Sequence, residues 1–314
     1  MSAVAKAPRD SVGTWPVRDR IGYFAAWAAG VALIVVATTI LAYMAVRGAQ
    51  YFDLSLLVES PAAELDQSKS GGFKDPLIGT VIVIMLATLI AAPLGVVIAI
   101  WLTEYGRPSA LARIVESGIE IVAGTPSIVL AIFGLILFQQ QILGPLSFDA
   151  QGDAVLGRSF IACSAMMSLI ALPLVVGSTR EALNAVPGHV REASYALGKT
   201  KAATIRRVLL PAARPGIGTG TALGMGRIAG DTAIVIVLLG ATLQLQSGGD
   251  GPLGPLRGIG STLTSYVYIN SPAGEGLSPE KAYFAAFVLL LIVLFLNFVV
   301  AGAIRGRKGL AWQR

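Results

Sequence analysis

Long apolar segments constrain the fold of this chain more than any other feature of its sequence. A hydrocarbon core about 30 Å thick is crossed by a helix of roughly 20 apolar residues, which satisfies its own backbone hydrogen bonds in lipid. Only 13% of the residues are charged, against about 25% in soluble domains, and the mean hydropathy is +0.72. We therefore expect an all-α membrane protein. The predicted transmembrane helices are 21–46, 77–103, 116–138, 160–177, 216–240 and 283–304.

Prolines occur inside three of these segments, as Pro93, Pro126 and Pro173. A proline within a helix removes one backbone hydrogen bond and kinks the helix. Such helices are common in transporters, where neighbouring helices or a cavity satisfy the freed carbonyl group. Helix packing alone is the alternative explanation for each of them.

The basic residues indicate how the chain is oriented in the membrane. The chain has 24 lysines and arginines and a formal net charge of +6, but these residues alternate between loops and form no single patch for nucleic acid. Most of them lie in the two termini and in the loops 104–115 and 180–214. Because cytoplasmic loops are enriched in lysine and arginine, both termini are expected to be cytoplasmic.

The same pattern divides the chain into regions. The loop 47–76 is acidic, contains a Ser-Gly-Gly stretch, and is expected to be external and flexible. The Gly- and Pro-rich segment 244–279 is also expected to be external, with a short re-entrant or interfacial helix near Tyr266. The predicted regions are a cytoplasmic tail 1–20, a first transmembrane helix 21–46, an external loop 47–76, a membrane core 77–304 that includes the loop 180–214, and a basic cytoplasmic tail 305–314.

A polar and basic stretch, 186–211, separates the fourth and fifth apolar segments. Apolar residues recur within it at spacings of mostly three or four, which predicts an amphipathic helix broken once at Gly198. A two-helix elbow of this kind, just outside the membrane, is suited to seating a soluble partner. The alternative is an amphipathic helix that lies on the lipid surface.

No residues in the sequence indicate a nucleotide site or a catalytic site. Gly198-Lys199-Thr200 matches the end of a phosphate-binding P-loop, but the first glycine of that motif would fall at Ala193, and no buried strand precedes it. The single Cys163 lies in an apolar segment and is expected to fill the core, and His189 has no second ligand or base nearby. We therefore expect no metal site, no cofactor and no enzymatic activity in this chain.

Arg227 is the only basic residue within a predicted transmembrane helix. It follows residue 216 by about 16 Å of helix, which places it near the middle of the membrane, where an arginine costs about 2.5–3.5 kcal/mol. Asp231 lies one helical turn further on, and Thr232 adds a hydroxyl group. The pair either locks this helix to its neighbours or faces an ion pathway. Glu116 and Glu120 are also one turn apart, and we expect them to be hydrated or to contact the elbow.

An arginine in a pathway favours oxyanions, because its guanidinium group offers a planar fork of donors. A carboxylate beside it repels a fully deprotonated tetrahedral anion but accepts a hydrogen bond from one that retains a proton, as phosphate does near neutral pH and sulfate does not. We therefore hypothesise that Arg227 attracts the anion and that Asp231 selects the protonated species.

The elbow also matches a known motif. Glu192-Ala193-Ser194, Gly198 and Leu210-Pro211 occur at the spacing of a Glu-Ala-Ala, Gly and Leu-Pro pattern. This resembles the EAA loop of ABC importer permeases, with Ser194 in place of the usual alanine. The resemblance implies a type I permease fold whose coupling helices dock on an ATPase subunit.

Two further stretches resemble the phosphate-importer permeases. Residues 226–233 are similar to the Arg-Ala-x-Gly-Glu-Thr segment of that family, with Asp231 in place of glutamate, and residues 119–129 to its Ala-Gly-x-Pro-Ser-Ile-Val segment. The resemblance adds Thr125 and Ser127 to the expected substrate pathway of Arg227, Asp231 and Thr232. The sequence of residues 102–107 is closer to the PstA type than to the PstC type.

The resemblance implies a prokaryotic plasma-membrane complex that imports inorganic phosphate. Its other parts would be a PstC-like second permease, a PstB-like ATPase dimer that binds ATP and magnesium, and a PstS-like external phosphate-binding protein. A permease for molybdate or sulfate, a membrane enzyme acting on phosphorylated lipids, and a passive channel are the alternatives.

Overall fold

The computed structural model describes residues 15–62, 67, 71–106, 109–150, 154–240, 242–249, 251–272, 274 and 278–305. Most of the expected tails 1–20 and 305–314 therefore lies outside the described residues. The described helices, in chain order, are α1 (Val17–Gln50), α2 (Ser55–Val58), α3 (Lys74–Ile100), α4 (Ala110–Gly124), α5 (Ser127–Phe138), α6 (Phe160–Asn184), α7 (Gly188–Ala196), α8 (Lys201–Thr204), α9 (Leu210–Gly230), α10 (Ala233–Leu239), α11 (Gly254–Arg257), α12 (Leu263–Asn270) and α13 (Pro279–Arg305).

Short irregular elements connect some of these helices. A π-helical turn, Trp101–Tyr105, extends α3, and a second one, Ile205–Leu209, joins α8 to α9. A 3-10 turn spans Gly144–Leu146, and the two-residue strands β1 (Asp149–Ala150) and β2 (Ala154–Val155) pair antiparallel. The described chain is thus mostly helical, as predicted.

In the described part of the chain, four helical stretches are long and apolar enough to cross a membrane: Val17–Gln50, Lys74–Tyr105, Phe160–Asn184 and Pro279–Gly302. Two bent pairs, α4 with α5 and Lys201–Gly230 with α10, raise the number of candidate spans to six if each pair crosses once. The all-α membrane fold is therefore confirmed. Most of the helices run past the predicted bounds, because polar residues at their ends continue the helix beyond the apolar core.

The expected third span, 116–138, is not one helix. Helices α4 and α5 meet at an angle of 110°. Thr125 adopts an extended conformation (φ −78°, ψ 131°), and Pro126 precedes the first residue of α5. Proline disfavours the helical region for the residue before it, so the break falls at Thr125.

The expected fifth span, 216–240, also differs from the structure. Its helix starts in the elbow and runs to Gly230, and α10 then departs at an angle of 63°. Asp231 is extended at the break (φ −86°, ψ 122°), and its Oδ1 accepts a hydrogen bond from the backbone N–H of Ile234 at 3.1 Å. A carboxylate in this position satisfies a backbone donor at the start of the next helix, which stabilises the break.

Helix α6 lies at the centre of the bundle, where α3 and α9 pack against it. Glycines 216, 220 and 224 allow α9 to approach α6 closely. A Cβ atom on Gly216 would come within 2.2 Å of the Cβ of Ala182, and one on Gly220 within 2.9 Å of the Cβ of Ser178. Small residues spaced by four allow helix backbones to approach in this way in membranes.

The polar loop expected at 180–214 is shorter than predicted, because α6 continues to Asn184 and α9 begins at Leu210.

The segment after α1 is more ordered than predicted for the loop 47–76. Phe73 is fully buried. Asp75 accepts hydrogen bonds from the Ser60 hydroxyl at 3.0 Å and from the backbone N–H of Leu245 at 3.1 Å. The described part of this loop therefore packs onto 244–279, and the short helix expected near Tyr266 is confirmed as α12.

Candidate anion site and coupling elbow

The elbow consists of two helical arms. Helix α7 forms the first arm, and α8 with the following π-helical turn forms the second. Gly198 lies between them with φ +73°, a conformation that favours glycine because it has no Cβ. The hydroxyl of Thr200 accepts a hydrogen bond from the N–H of Ala203 at 3.3 Å and so caps the second arm. The predicted break at Gly198 is thus confirmed.

Ser194 joins the two arms of the elbow. Its hydroxyl group lies 2.8 Å from that of Thr204, and both residues are buried. Alanine, the usual residue of the motif, has no group for this hydrogen bond. The departure from the motif therefore has a structural role in this chain.

The apolar residues of the elbow divide into a buried and an exposed set. Ile205 and Leu209 pack in a small core with Leu183 and Val186. Leu197, in contrast, is 78% exposed, and Tyr195 is 42% exposed. The predicted sites Glu192 and Ala193 are exposed beside them, while Leu210 and Pro211 are half-buried at the start of α9. The exposed apolar side chains leave a surface that suits docking to a soluble partner.

Arg227 lies in the last turn of α9, where the broken third and fifth spans meet. Its side chain is 51% exposed. One terminal nitrogen, Nη2, donates a hydrogen bond to the hydroxyl of Ser127 at 3.2 Å, and Ser127 is the first residue of α5. The structure therefore brings together two predicted pathway residues that are 100 positions apart.

Asp231 lies near Arg227 but not on the same helix, which corrects the expected pairing on one helical face. The distance from Asp231 Oδ2 to Arg227 Nη2 is 3.9 Å, and the carboxylate side chain is 5% exposed. Its other oxygen, Oδ1, caps α10 through Ile234. The guanidinium group is thus held loosely, and Oδ2 remains available as an acceptor that faces it.

The two predicted threonines lie at the same breaks. The hydroxyl of Thr125 donates to the carbonyl oxygen of Ile121 at 2.7 Å and so closes the end of α4. Thr232 is half-buried next to Asp231, and its carbonyl oxygen accepts from the N–H of Ile236 at 3.0 Å. Both residues therefore shape the breaks in the described structure.

This arrangement fits a small oxyanion. Helix α5 has 12 residues and begins beside Arg227, so the unpaired N–H groups and positive end of its dipole add to the charge of the guanidinium group. Broken membrane helices present their N-termini to anionic substrates in several transporters. Among the described residues, no group of three or more His, Cys, Asp and Glu could hold a metal ion.

Other sequence candidates lie apart from this site. Glu116 forms an ion pair with Arg180 of α6 at 2.5 Å instead of contacting the elbow, and Glu120 is exposed. The carboxylate that does reach the elbow is Glu104, 3.3 Å from Arg191. These two residues are 87 positions apart, and no sequence pattern indicated their contact.

A cavity of about 610 Å³ opens around Pro93 between α3, α9 and α13, where Met85, Leu89, Met225 and Leu296 are among the lining residues. Its lining is almost entirely apolar, so it does not suit an anion. The cavity is distinct from the site at Arg227, which does not line it.

Comparisons with known proteins find related membrane transport components. The family model described as binding-protein-dependent transport system inner membrane component matches residues 91–306. The chain is 32% identical over 237 residues to the phosphate transport system permease protein PstA 1 of Mycobacterium tuberculosis, covering 76% of this chain and 72% of that protein. It is 27% identical over 307 residues to PstC 2 of Mycobacterium bovis, covering 92% of each.

A solved structure has a similar fold. A bacterial alginate ABC transporter in complex with an alginate-bound periplasmic protein superimposes with a TM-score of 0.62, covering 93% of this chain and 97% of that chain. The sequence identity is 14%, so this likeness is one of fold.

Proposed function

Because the chain belongs to the family of binding-protein-dependent transport system inner membrane components, we propose that it is a PstA-type permease subunit of an ATP-driven importer of inorganic phosphate. The subunit itself is not an enzyme, since permeases of this kind carry no ATPase. A separate subunit binds ATP and magnesium and hydrolyses the ATP. The relatives named as phosphate permeases support this assignment.

One observation carries the choice of substrate. The half-exposed guanidinium group of Arg227 lies where two broken spans meet, beside the N-terminus of α5. An arginine at mid-membrane depth is costly unless it faces a cavity or a pathway. The group is half-exposed, and both of its partners, Ser127 and Asp231, lie at Nη2, so its other donors are left for the oxygens of a tetrahedral anion.

Asp231 then serves as the selective acceptor. Its Oδ1 is occupied by the N–H of Ile234, whereas Oδ2 faces Arg227. A phosphate that retains a proton donates a hydrogen bond to Oδ2, and sulfate, which has none near neutral pH, meets only its negative charge. One arginine does not offset both a phosphate dianion and Asp231, so the partner permease must contribute positive charge.

The complex contains this chain, a PstC-like permease, an ATPase dimer and an external phosphate-binding protein. It lies in the bacterial plasma membrane with the elbow and both termini on the cytoplasmic side, the orientation favoured by the positive-inside rule. The exposed Tyr195 and Leu197 seat the elbow on the ATPase. Closure of the ATPase dimer then displaces the elbow and tilts the broken helices around the anion.

The test uses the complex of both permeases and the ATPase in proteoliposomes, with the binding protein outside. Arg227→Lys retains the charge but loses the fork of donors, so we expect phosphate uptake at low concentration to fall about tenfold, the equivalent of one charge-assisted hydrogen bond. Arg214→Lys is the matched control, because Arg214 is an exposed arginine of the same helix outside the site. Equal uptake by the two variants would contradict the role of Arg227.

A second variant tests the selection step. Asp231→Asn removes the charge that repels sulfate, so we expect competing sulfate to inhibit phosphate uptake by this variant but not by the wild type. Unchanged sensitivity to sulfate would remove Asp231 from the selection. Transport of sulfate or molybdate by the wild type, in preference to phosphate, would instead favour a permease for that oxyanion.

A further inference from the structure

The elbow contacts the inner end of the second span as well as continuing into the fifth. The last residues of the second span, Glu104 and Tyr105, form the end of the π-helical turn that extends α3. Short π-helical segments are rare and often occur at functional sites. The second such turn of the described chain, Ile205–Leu209, belongs to the elbow itself.

The first arm of the elbow reaches Glu104 through Arg191. The guanidinium group donates a hydrogen bond from Nε to Glu104 Oε1 at 3.3 Å. Its two terminal nitrogens donate to the carbonyl oxygens of Val186 and Leu183, each at 2.7 Å. Three acceptors therefore fix its orientation. The Glu104 side chain is 8% exposed, so this ion pair is largely shielded from solvent. Charge-assisted hydrogen bonds in such an environment are stronger than those at the surface.

The second arm reaches the same place through Lys201. Its ammonium group donates a hydrogen bond to the carbonyl oxygen of Glu104 and lies 4.5 Å from the centre of the Tyr105 ring. A cation at this distance from an aromatic face is attracted to it. Both arms of the elbow thus contact Glu104, and the second arm also contacts Tyr105.

The two arms form one unit, because the buried hydroxyl groups of Ser194 and Thr204 join them. We propose that Glu104 is a positioning residue that makes the second span move together with the elbow. Displacement of the elbow by the ATPase then drives two helices, the fifth through the continuous chain and the second through Glu104. Pro93 lies inside α3 and gives the second span a weak point, since it lacks one backbone hydrogen bond.

This inference rests on the proposed transport function, and its test uses the same proteoliposome complex. Glu104→Gln keeps the size of the side chain but removes its charge. We expect the ATPase to co-purify and ATP hydrolysis to continue, while phosphate taken up per ATP hydrolysed falls about tenfold, the equivalent of one charge-assisted hydrogen bond. Glu181→Gln is the matched control, since Glu181 is an exposed carboxylate near the end of α6, and its ratio should equal that of the wild type.

A rescue experiment distinguishes coupling from simple structural support. In the Glu104→Gln chain that also carries Cys163→Ala, the exposed residues Tyr105 and Lys201 are changed to cysteine and joined by a short bifunctional thiol reagent. Cys163 is the only cysteine of this chain, so after its replacement the new pair are the only thiols that this chain offers to the reagent. We expect cross-linking to restore the phosphate-to-ATP ratio.

The possible results are separable. A wild-type ratio in Glu104→Gln, a loss of ATPase binding together with transport, or a ratio that stays low after cross-linking would each overturn the inference. Failure of the wild-type complex to import phosphate would overturn the proposed substrate. The coupling ratio would then be measured with the anion that the complex does transport, so the role of Glu104 is still decided.

Discussion

Substitutions of Gly198 separate backbone strain from steric obstruction at the elbow. Gly198 has φ +73°, and a Cβ atom placed there would meet nothing within 4 Å. Alanine therefore causes no clash within this chain, but the left-handed conformation costs it roughly 1–2 kcal/mol. That cost corresponds to a factor of about 5–30 in the population of the correctly formed elbow. Asparagine tolerates the conformation better than alanine, although it is larger.

We therefore expect Gly198→Ala to reduce ATP-driven uptake more than Gly198→Asn does. The assay is phosphate uptake by the reconstituted complex, together with the fraction of ATPase that co-purifies with the permeases. Membrane insertion of each variant serves as the control. If Gly198→Asn supported less uptake than Gly198→Ala, the size of the side chain at the docking surface would be the controlling factor. Backbone strain at position 198 would then not explain the loss.

Two further predictions concern stability and follow from close contacts. Gly216→Ala should lower the free energy of unfolding by about 1–3 kcal/mol, because the added Cβ would overlap that of Ala182. Gly226→Ala should be neutral or stabilising by up to about 1 kcal/mol, because its Cβ would meet nothing within 4 Å. Thermal unfolding in detergent checks both variants, and equal midpoints would contradict the packing argument. Ser194→Ala should lower the free energy of unfolding by about 1–3 kcal/mol, because it leaves the buried hydroxyl of Thr204 unpaired. Adding Thr204→Val should recover most of that loss in the same measurement. If the losses of the two single variants were fully additive, the hydrogen bond would be excluded.

Local signals in the sequence predicted the elements and the break at Gly198, but not the breaks within the membrane spans. Gly198 marked the turn of the elbow correctly, because a glycine between two amphipathic stretches is a local feature. Pro93, Pro126 and Pro173 looked equivalent, yet α3 and α6 continue through their prolines and only Pro126 separates two helices. Proline permits either a kink or a break, and the packing of neighbouring helices decides between them.

The candidate site was predictable only in part, for a similar reason. An arginine in an apolar segment is visible in the sequence, and Arg227 does lie at the junction of two broken spans. Its contact with Ser127 depends on the bend at residue 125 and on the packing of α5 against α10. The placement of Asp231 beyond the end of α9 depends on the hydrogen bond from Ile234. Contacts between distant segments arise from tertiary structure, which periodicity does not record.

The uninterrupted helical run Lys201–Gly230 gives the molecule a lever. From Lys201 to Arg227 it extends about 39 Å at 1.5 Å per residue, so a rotation of 5° at the docking end moves the guanidinium group by roughly 3 Å. That is about the length of its hydrogen bond to Ser127, 3.2 Å. A rotation too small to disturb the bundle as a whole is thus enough to separate Arg227 from Ser127. In the proposed mechanism, anion binding at Arg227 is therefore geometrically coupled to movement of the elbow.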